Sequence, residues 1–241
     1  MRSAPPLAAN ATLRWSVVEP ILDRLKPRRV LEIGCGQGAF GARIAAGAEY
    51  VGLERDSQSF DVARSRIVPA GGRVLFGDLD ALDDPCPFDL VCAFEVLEHI
   101  ERDIDAIREW TRFAAPDGAI LVSVPAWPDR FGAWDTLVGH YRRYTPYQLD
   151  ETLLGAGLRD VEHTMYGWPL GYVTEPVRNV IARRSLARDP GSMEERTGRS
   201  GRSLQGSGVV GRVVMTAASP FVYAQRLRPA RGVGIVGLGH R

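Results

Sequence analysis

Short β-branched or leucine-rich runs alternate with helix-compatible segments through the first two thirds of this 241-residue chain. The runs are Arg29–Ile33, Tyr50–Glu54, Arg73–Phe76, Phe88–Phe94 and Ala119–Val124. An amphipathic helix over Trp15–Lys26, halted by Pro27, precedes the first. Further helices are expected over Ala39–Ala46, Ser57–Ile67, Val96–Phe113 and Pro146–Ala156. Strands alternating with helices require right-handed crossovers and a parallel sheet covered on both faces, an α/β fold. Ligands of such sheets bind beyond the carboxyl ends of the strands, where the strand order reverses.

The pattern changes after the last of these helices. Leu158–Tyr166 reads as a sixth strand and Gly232–His240 as a glycine-loosened last one. Between them lie a helix over Thr174–Arg188, a polar stretch 189–208 and an apolar-basic segment Val209–Arg228. The polar stretch has almost no large apolar side chain to repay the entropy of ordering, so it is expected to be a mobile loop. Residues 1–170 are therefore assigned to the core with its N-terminal helix, 171–230 to a basic helical insertion, and 231–241 to the strand that completes the sheet.

Charge follows the same division. Residues 1–177 hold 18 basic against 26 acidic side chains, whereas 178–241 hold 12 arginines against 3 acids. A net charge of +1 gives no reason to expect nucleic acid as a partner. The basic amphipathic segment 177–228 suits either a peripheral membrane contact or a helix pair packed on its own domain. Its uncharged stretch Val213–Gln225, broken by Pro220, is far short of the roughly 20 residues a bilayer span needs. Cys35, Cys86 and Cys92 form no framework and the N-terminus has no apolar leader, so a cytoplasmic chain without disulfides is expected, with the inner membrane surface as the place of any peripheral contact.

The chemistry-bearing segment starts where the first strand ends, at Glu32-Ile33-Gly34-Cys35-Gly36-Gln37-Gly38-Ala39. Alternating glycines let backbone approach a ligand without an intervening Cβ, and they accept positive φ. Gly34, Gly36 and Ala39 also satisfy the G-x-G-x-x-A dinucleotide fingerprint, so the turn alone suits a nicotinamide-dependent oxidoreductase equally well. Glu54 closes the second strand, where a carboxylate can accept both ribose hydroxyls. Asp78 follows the third strand, placed to accept a hydrogen bond from an adenine amine.

Together these residues resemble class I S-adenosylmethionine-dependent methyltransferases, and among them the broad small-molecule group called type 11. Glu32-x-Gly34-x-Gly36-x-Gly38 is similar to their first motif, Glu54 to their ribose-binding acid and Asp78 to their adenine-site acid. Phe94-Glu95-Val96-Leu97-Glu98-His99-Ile100 is similar to the stretch after their fourth strand, and Pro116-Asp117-Gly118 to the turn before their fifth. The resemblance covers Val30–Tyr166 closely and the remainder loosely. It implies a Rossmann-like three-layer sandwich with a seven-stranded, mostly parallel sheet and an antiparallel last strand. It also implies S-adenosyl-L-methionine as the methyl donor, held by Glu32, Gly34, Cys35, Gly36, Gly38, Glu54, Arg55, Asp78, Leu79, Phe94 and Glu95. A non-catalytic nucleoside-binding module, docking through its basic tail, would use the same residues.

The acceptor side is expected after the fifth strand, where Trp127, Phe131, Trp134, Tyr141 and Tyr144 crowd one loop. Trp127, Trp134, Tyr141, Arg143 and Tyr144 are the candidate contacts to a small-molecule or lipid-linked acceptor. Arg142 and Arg143 suit a carboxylate or phosphate, or pairing with Asp135 and Asp150. Gly-His-x-Arg-Arg-Tyr recurs in type 11 enzymes, and the resemblance marks His140 as the candidate base, with His99 as a second catalytic histidine. His163 and His240 read as structural. A continuous helix after the fourth strand would put Glu95, Glu98, His99 and Arg102 on one face. Glu-x-x-Glu-His with a later histidine resembles the divalent-metal set of plant small-RNA 3′-end methyltransferases and of some ubiquinone-pathway O-methyltransferases. Type 11 enzymes share the pattern with no metal implied, Glu98 then pairing with Arg102 at i, i+4, and a metal-free site is the expectation.

Overall fold

The computed structural model describes residues 4–82, 87–188 and 208–241. Seven strands, β1 (Arg29–Ile33), β2 (Glu49–Glu54), β3 (Arg73–Phe76), β4 (Phe88–Phe94), β5 (Ala114–Pro125), β6 (Arg159–Gly167) and β7 (Gly232–His240), form one sheet. Its order is β3-β2-β1-β4-β5-β7-β6, with β7 antiparallel to both neighbours and the other pairs parallel. Alternate residues of each strand feed opposite faces. Leu31, Ile33, Val91 and Ala93 pack with helices α4 (Asp103–Thr111) and α6 (Pro146–Gly155). Val30, Leu90, Cys92 and Leu121 pack with α1 (Ala9–Leu25), α3 (Ser57–Ile67) and α8 (Gly208–Arg226). The expected three-layer sandwich with an antiparallel last strand is what forms.

Local chemistry sets several boundaries. Asp56 caps α3 by accepting the Ser59 N–H at 2.9 Å. Thr145 and Gln148 make a reciprocal capping box ahead of α6, at 3.1 and 2.9 Å, with Pro146 in the first turn. A Cβ on Gly234 of β7 would come within 2.2 Å of the Tyr166 ring, so this glycine is what lets Tyr166 lie across the strand.

Six expectations need correction. The helix expected over Trp15–Lys26 already begins at Ala9, and β5 begins at Ala114, so that Pro116-Asp117-Gly118, expected as the turn before it, lies within the strand. The helix expected over Ala39–Ala46 is one turn, α2 (Gly41–Ile44). The continuous helix expected over Val96–Phe113 does not exist. A 3-10 turn at Leu97–His99 is followed by extended Ile100, and α4 begins only at Asp103. Asp103 and Asp105 favour a helix start there because they face its positive dipole end. Arg102 accordingly pairs with Asp105 at 2.6 Å rather than with Glu98. Finally, the helix expected from Thr174 begins earlier, α7 running over Leu170–Arg188. Cys86 and residues 189–207 of the expected mobile loop lie outside the described residues.

Strand order reverses between β1 and β4, so the crevice that suits a ligand opens at their carboxyl ends. Because β6 runs parallel to β5 and β7 runs back, residues 168–231 leave and re-enter the sheet at that same edge, where Gly167 pairs with Gly232. A shallow polar cleft of about 270 Å³, lined by Lys26, Arg28, Asp89, Asp117 and His240, lies at the opposite, amino-terminal edge.

Candidate active site

The turn after β1 carries positive φ at Gly34 (67°), Gly36 (55°) and Gly38 (74°). Glu54 at the end of β2 accepts the Gly36 N–H at 2.7 Å and the Asp56 N–H at 2.8 Å, which locks its carboxylate against the turn. Burial pushes this carboxyl up, against the pull of those backbone donors. Arg55 and Asp78 stand beside it, 3.6 Å apart and exposed. Leu79 is buried, and its N–H donates to Asp78 at 3.0 Å. Phe94 meets Phe40 edge-to-face with centroids 5.1 Å apart.

Glu32 and Cys35, two of the expected donor residues, have buried side chains. Glu32 is 3% exposed and accepts the Tyr50 hydroxyl at 2.6 Å behind the turn, and burial pushes its carboxyl up to about 8. Cys35 presents its backbone to the turn, while its thiol is buried against Gly52.

Glu95 directly follows β4, with φ of 58°. Its Oε1 lies 3.0 Å from the Arg14 guanidinium and accepts the Tyr166 and Ser123 hydroxyls at 2.9 and 3.1 Å. Burial works against the charged form of Glu95, but Arg14 and Tyr166 outweigh it and hold the carboxyl low. Arg14 also lies over the Phe40 ring, 5.0 Å from its centroid, and its Nε is buried without a partner. No motif in the sequence singles out Arg14. The available signal was an arginine set among Leu13, Trp15, Val17 and Val18 in an amphipathic helix.

A second cluster is built by α5 (Ala133–Val138) and the loop after it. Asp135, fully buried, accepts from His140 Nδ1 at 2.8 Å, from Arg143 Nε and Nη2 at 2.8 and 2.7 Å, and from the Gly132 N–H at 2.8 Å. Burial alone would raise the Asp135 carboxyl, yet these donors bring it well below the usual carboxylate range. With Nδ1 committed to Asp135, His140 Nε2 faces Glu98, 3.7 Å away. His99 Nδ1 lies 3.2 Å from the Gly139 carbonyl, and its ring stands edge-on to that of His140 at 4.7 Å. Burial and neighbouring His140 lower the His99 imidazole to about 4. Both Glu98 oxygens are buried without a hydrogen-bond partner, and burial together with nearby Glu95 pushes the carboxyl up. Among the described residues, Glu98, His99 and His140 bring one ligand atom each to within 4.8 Å of one another. Glu95, committed to Arg14, is not part of this group.

The aromatic loop divides into supports and exposed residues. Tyr144 is buried and donates to Asp103 at 2.8 Å. Arg143 is 4% exposed, bonded to Asp135 and to Glu175 of α7, and this replaces its expected contact with an acceptor by a supporting one. Arg142 pairs with Asp103 at 2.7 Å, and Asp150 takes His163 at 2.9 Å instead of either arginine. Trp127 donates its indole N–H to the Gly232 carbonyl at 2.8 Å. Trp134 lies under the Arg178 guanidinium at 4.7 Å, with its backbone N–H on Asn179 at 2.9 Å. Tyr141 is 45% exposed.

Known proteins share the fold, and curated relatives match about half of the chain. Over 123 residues the chain is 29% identical to a ubiquinone biosynthesis O-methyltransferase of Bordetella bronchiseptica, covering 49% of this chain and 51% of that protein. The chain thus spans about half the length of the curated relatives it matches. A SAM-dependent methyltransferase of Thermotoga maritima shares the fold with a TM-score of 0.56 at 16% identity, over 96% of this chain and 91% of that one. So does a phosphoethanolamine N-methyltransferase of Haemonchus contortus in complex with S-adenosyl-L-methionine, TM-score 0.57 at 18% identity, over 94% of this chain and 52% of that one. The family model described as methyltransferase domain matches residues 10–163, more than half of the sequence, and the chain belongs to that family, among the class I S-adenosylmethionine-dependent methyltransferases.

Proposed function

We propose that this chain methylates a hydroxyl oxygen of a small organic or lipid-linked acceptor. The Asp135–His140 pair carries the reading. With Nδ1–H donated to Asp135, His140 keeps its lone pair on Nε2 and can take the hydroxyl proton as the oxygen becomes nucleophilic. The curated relatives named for O-methylation support oxygen as the accepting atom.

The donor half fits S-adenosylmethionine. Its amino-acid end needs a cation for the carboxylate and an anion for the ammonium, and Arg14 and Glu95 offer that pair, with Arg14 Nε free to donate. Glu54 and the glycine turn suit the ribose, and Asp78 the adenine. When bound, the donor supplies a methyl carbon activated by a sulfonium. The remaining work of the protein is to align the acceptor and exclude water, an effect worth several kcal/mol. Calorimetry with S-adenosylmethionine, S-adenosylhomocysteine and NAD in parallel tests the donor. Binding of the first two without NAD is expected, and NAD binding alone would overturn the reading.

The partnerless oxygens of Glu98 favour a second reading of the acceptor side. A divalent cation on Glu98, His99 and His140 would neutralise the buried carboxylate and acidify an acceptor hydroxyl. Asp135 and the Gly139 carbonyl would then hold the two imidazoles by their other nitrogens, as metal-bound histidines require.

A further inference from the structure

Helix α7 has two faces. The inner one carries Glu175, Arg178, Asn179 and Ala182, spaced i, i+3, i+4 and i+7. It is taken up by the loop of α5: Glu175 holds Arg143 and Arg130, Asn179 accepts the Trp134 N–H, and Arg178 stacks on the Trp134 ring. The outer face carries Val173, Val177, Val180 and Ile181, which are 67%, 58%, 47% and 55% exposed. Helix α8 is divided likewise. Met215, Phe221 and Val222 pack on the core, while Val213, Tyr223 and Leu227 just beyond its end are 61–75% exposed.

The exposed apolar side chains are accompanied by one sign of charge. Arg183 and Arg184 are exposed on α7, Arg226, Arg228 and Arg231 are exposed at and beyond the end of α8, and neither 176–188 nor 208–231 contains an acid. The intervening 189–207 carries three arginines and three acids and so does not offset them. Apolar side chains rimmed by arginine on helices are what an interface between water and anionic headgroups accommodates. Among the described residues no helix is long and apolar enough to cross a membrane, which leaves a contact in the plane of the interface. Moreover, 168–231 joins the sheet at the edge that bears the glycine turn and His140, so a surface docked through α7 lies on the acceptor side.

We propose that the outer faces of α7 and α8 dock this protein on an anionic lipid bilayer, with the acceptor loop held against the inner face of the same helix. The docking surface stands independently of the methyl-transfer reading. Only a lipid-anchored acceptor, delivered from that bilayer, rests on it.

Vesicle flotation of the full chain tests the proposal without any activity measurement. Vesicles of phosphatidylcholine with phosphatidylglycerol should carry most of the protein, neutral phosphatidylcholine vesicles several-fold less, and 0.5 M salt should reduce the anionic binding. Val177→Glu with Ile181→Glu should lower the floated fraction at least fivefold, and Arg183→Ala with Arg184→Ala should abolish the anionic preference. S-adenosylmethionine affinity and thermal unfolding establish that the variants fold. Equal, negligible flotation of the unaltered chain with both vesicles would overturn the proposal on its own. So would a self-associating chain that Val177→Glu with Ile181→Glu renders monomeric without any vesicle binding, since that face would then meet a second copy.

Discussion

His140 Nδ1 lies 2.8 Å from Asp135 Oδ1, and Arg143 grips the same carboxylate through both oxygens, Nε on Oδ1 and Nη2 on Oδ2. The imidazole is thereby held in one orientation with Nε2 toward Glu98. His140→Ala should lower kcat about 10²- to 10⁴-fold, the usual contribution of a positioned base, while leaving S-adenosylmethionine affinity unchanged. Equal kcat in the variant, measured once an acceptor is in hand, removes His140 from the reaction. Asp135→Asn should lower both kcat and the melting temperature, because Arg143 also loses its anionic partner.

On the donor side, Glu54→Ala removes charge-assisted hydrogen bonds worth about 1.5 to 3 kcal/mol, hence roughly ten- to a hundredfold in Kd for S-adenosylmethionine. Asp78→Ala should cost less, since Asp78 is more exposed and adenine also gains from apolar contact. Titration calorimetry reads both, and an unchanged Kd for Glu54→Ala rejects the ribose assignment.

Glu32 gives the fold a pH dependence of definite sign. Burial, opposed by the Tyr50 hydrogen bond, raises its folded value to about 8 from an ordinary 4.5. Between those values the folded chain binds the proton that the unfolded chain has lost. Stability from this group is therefore complete below pH 4.5, falls by at most about 1.4 kcal/mol per pH unit as pH rises, and levels off above 8. His99, lowered to about 4, acts with the opposite sign between 4 and 6.5, so the comparison must be with Glu32→Gln rather than with a single melting curve. The variant should gain on the parent in melting temperature from pH 5 to pH 8. Parallel curves would show that Glu32 is ionised in the folded chain.

The β1, β3 and β7 limits are legible in the sequence because each strand is a short apolar run ended by glycine, a charged residue or a turn. The grouping of the glycine turn, Glu54 and Asp78 is legible for the same reason: these residues sit at consecutive strand ends, where sequence position sets spatial position. The acceptor half is not. Asp135, His140 and Arg143 are near in sequence, but the Glu175 partner that makes Arg143 a support comes from α7, 32 residues on. Arg14 reaches Glu95 from a helix that precedes the sheet altogether. The break before α4 was hidden because Glu98 and His99 suit a helix as well as they suit the 3-10 turn that aims them at His140.

Glu175 supplies a test of that tertiary link. It is 4% exposed and binds both Arg143 and Arg130. Removing one partner of a buried ion pair costs about 3 to 5 kcal/mol. Arg143 keeps Asp135, so Glu175→Gln should fall at the lower end, about 3 kcal/mol, or roughly 6 to 12 °C in melting temperature for a chain of this size. A loss under about 2 °C would show that α5 is held without α7.

The metal reading is decided by the Glu98 carboxylate. A buried carboxylate without a partner is costly, and only a proton or a cation relieves it. With a cation, Mn²⁺ should bind with one site per chain by calorimetry, and Glu98→Gln should weaken it at least tenfold, since the amide has no charge to offer. His99→Ala should do the same, while Glu95→Gln should leave Mn²⁺ affinity nearly unchanged, because Glu95 is committed to Arg14. Activity lost to exhaustive EDTA and restored by Mn²⁺ or Mg²⁺ would place the cation in the reaction. Activity that survives EDTA, with no Mn²⁺ heat above background, leaves Glu98 as a protonated carboxyl beside His140. The proton of the acceptor then passes to imidazole alone.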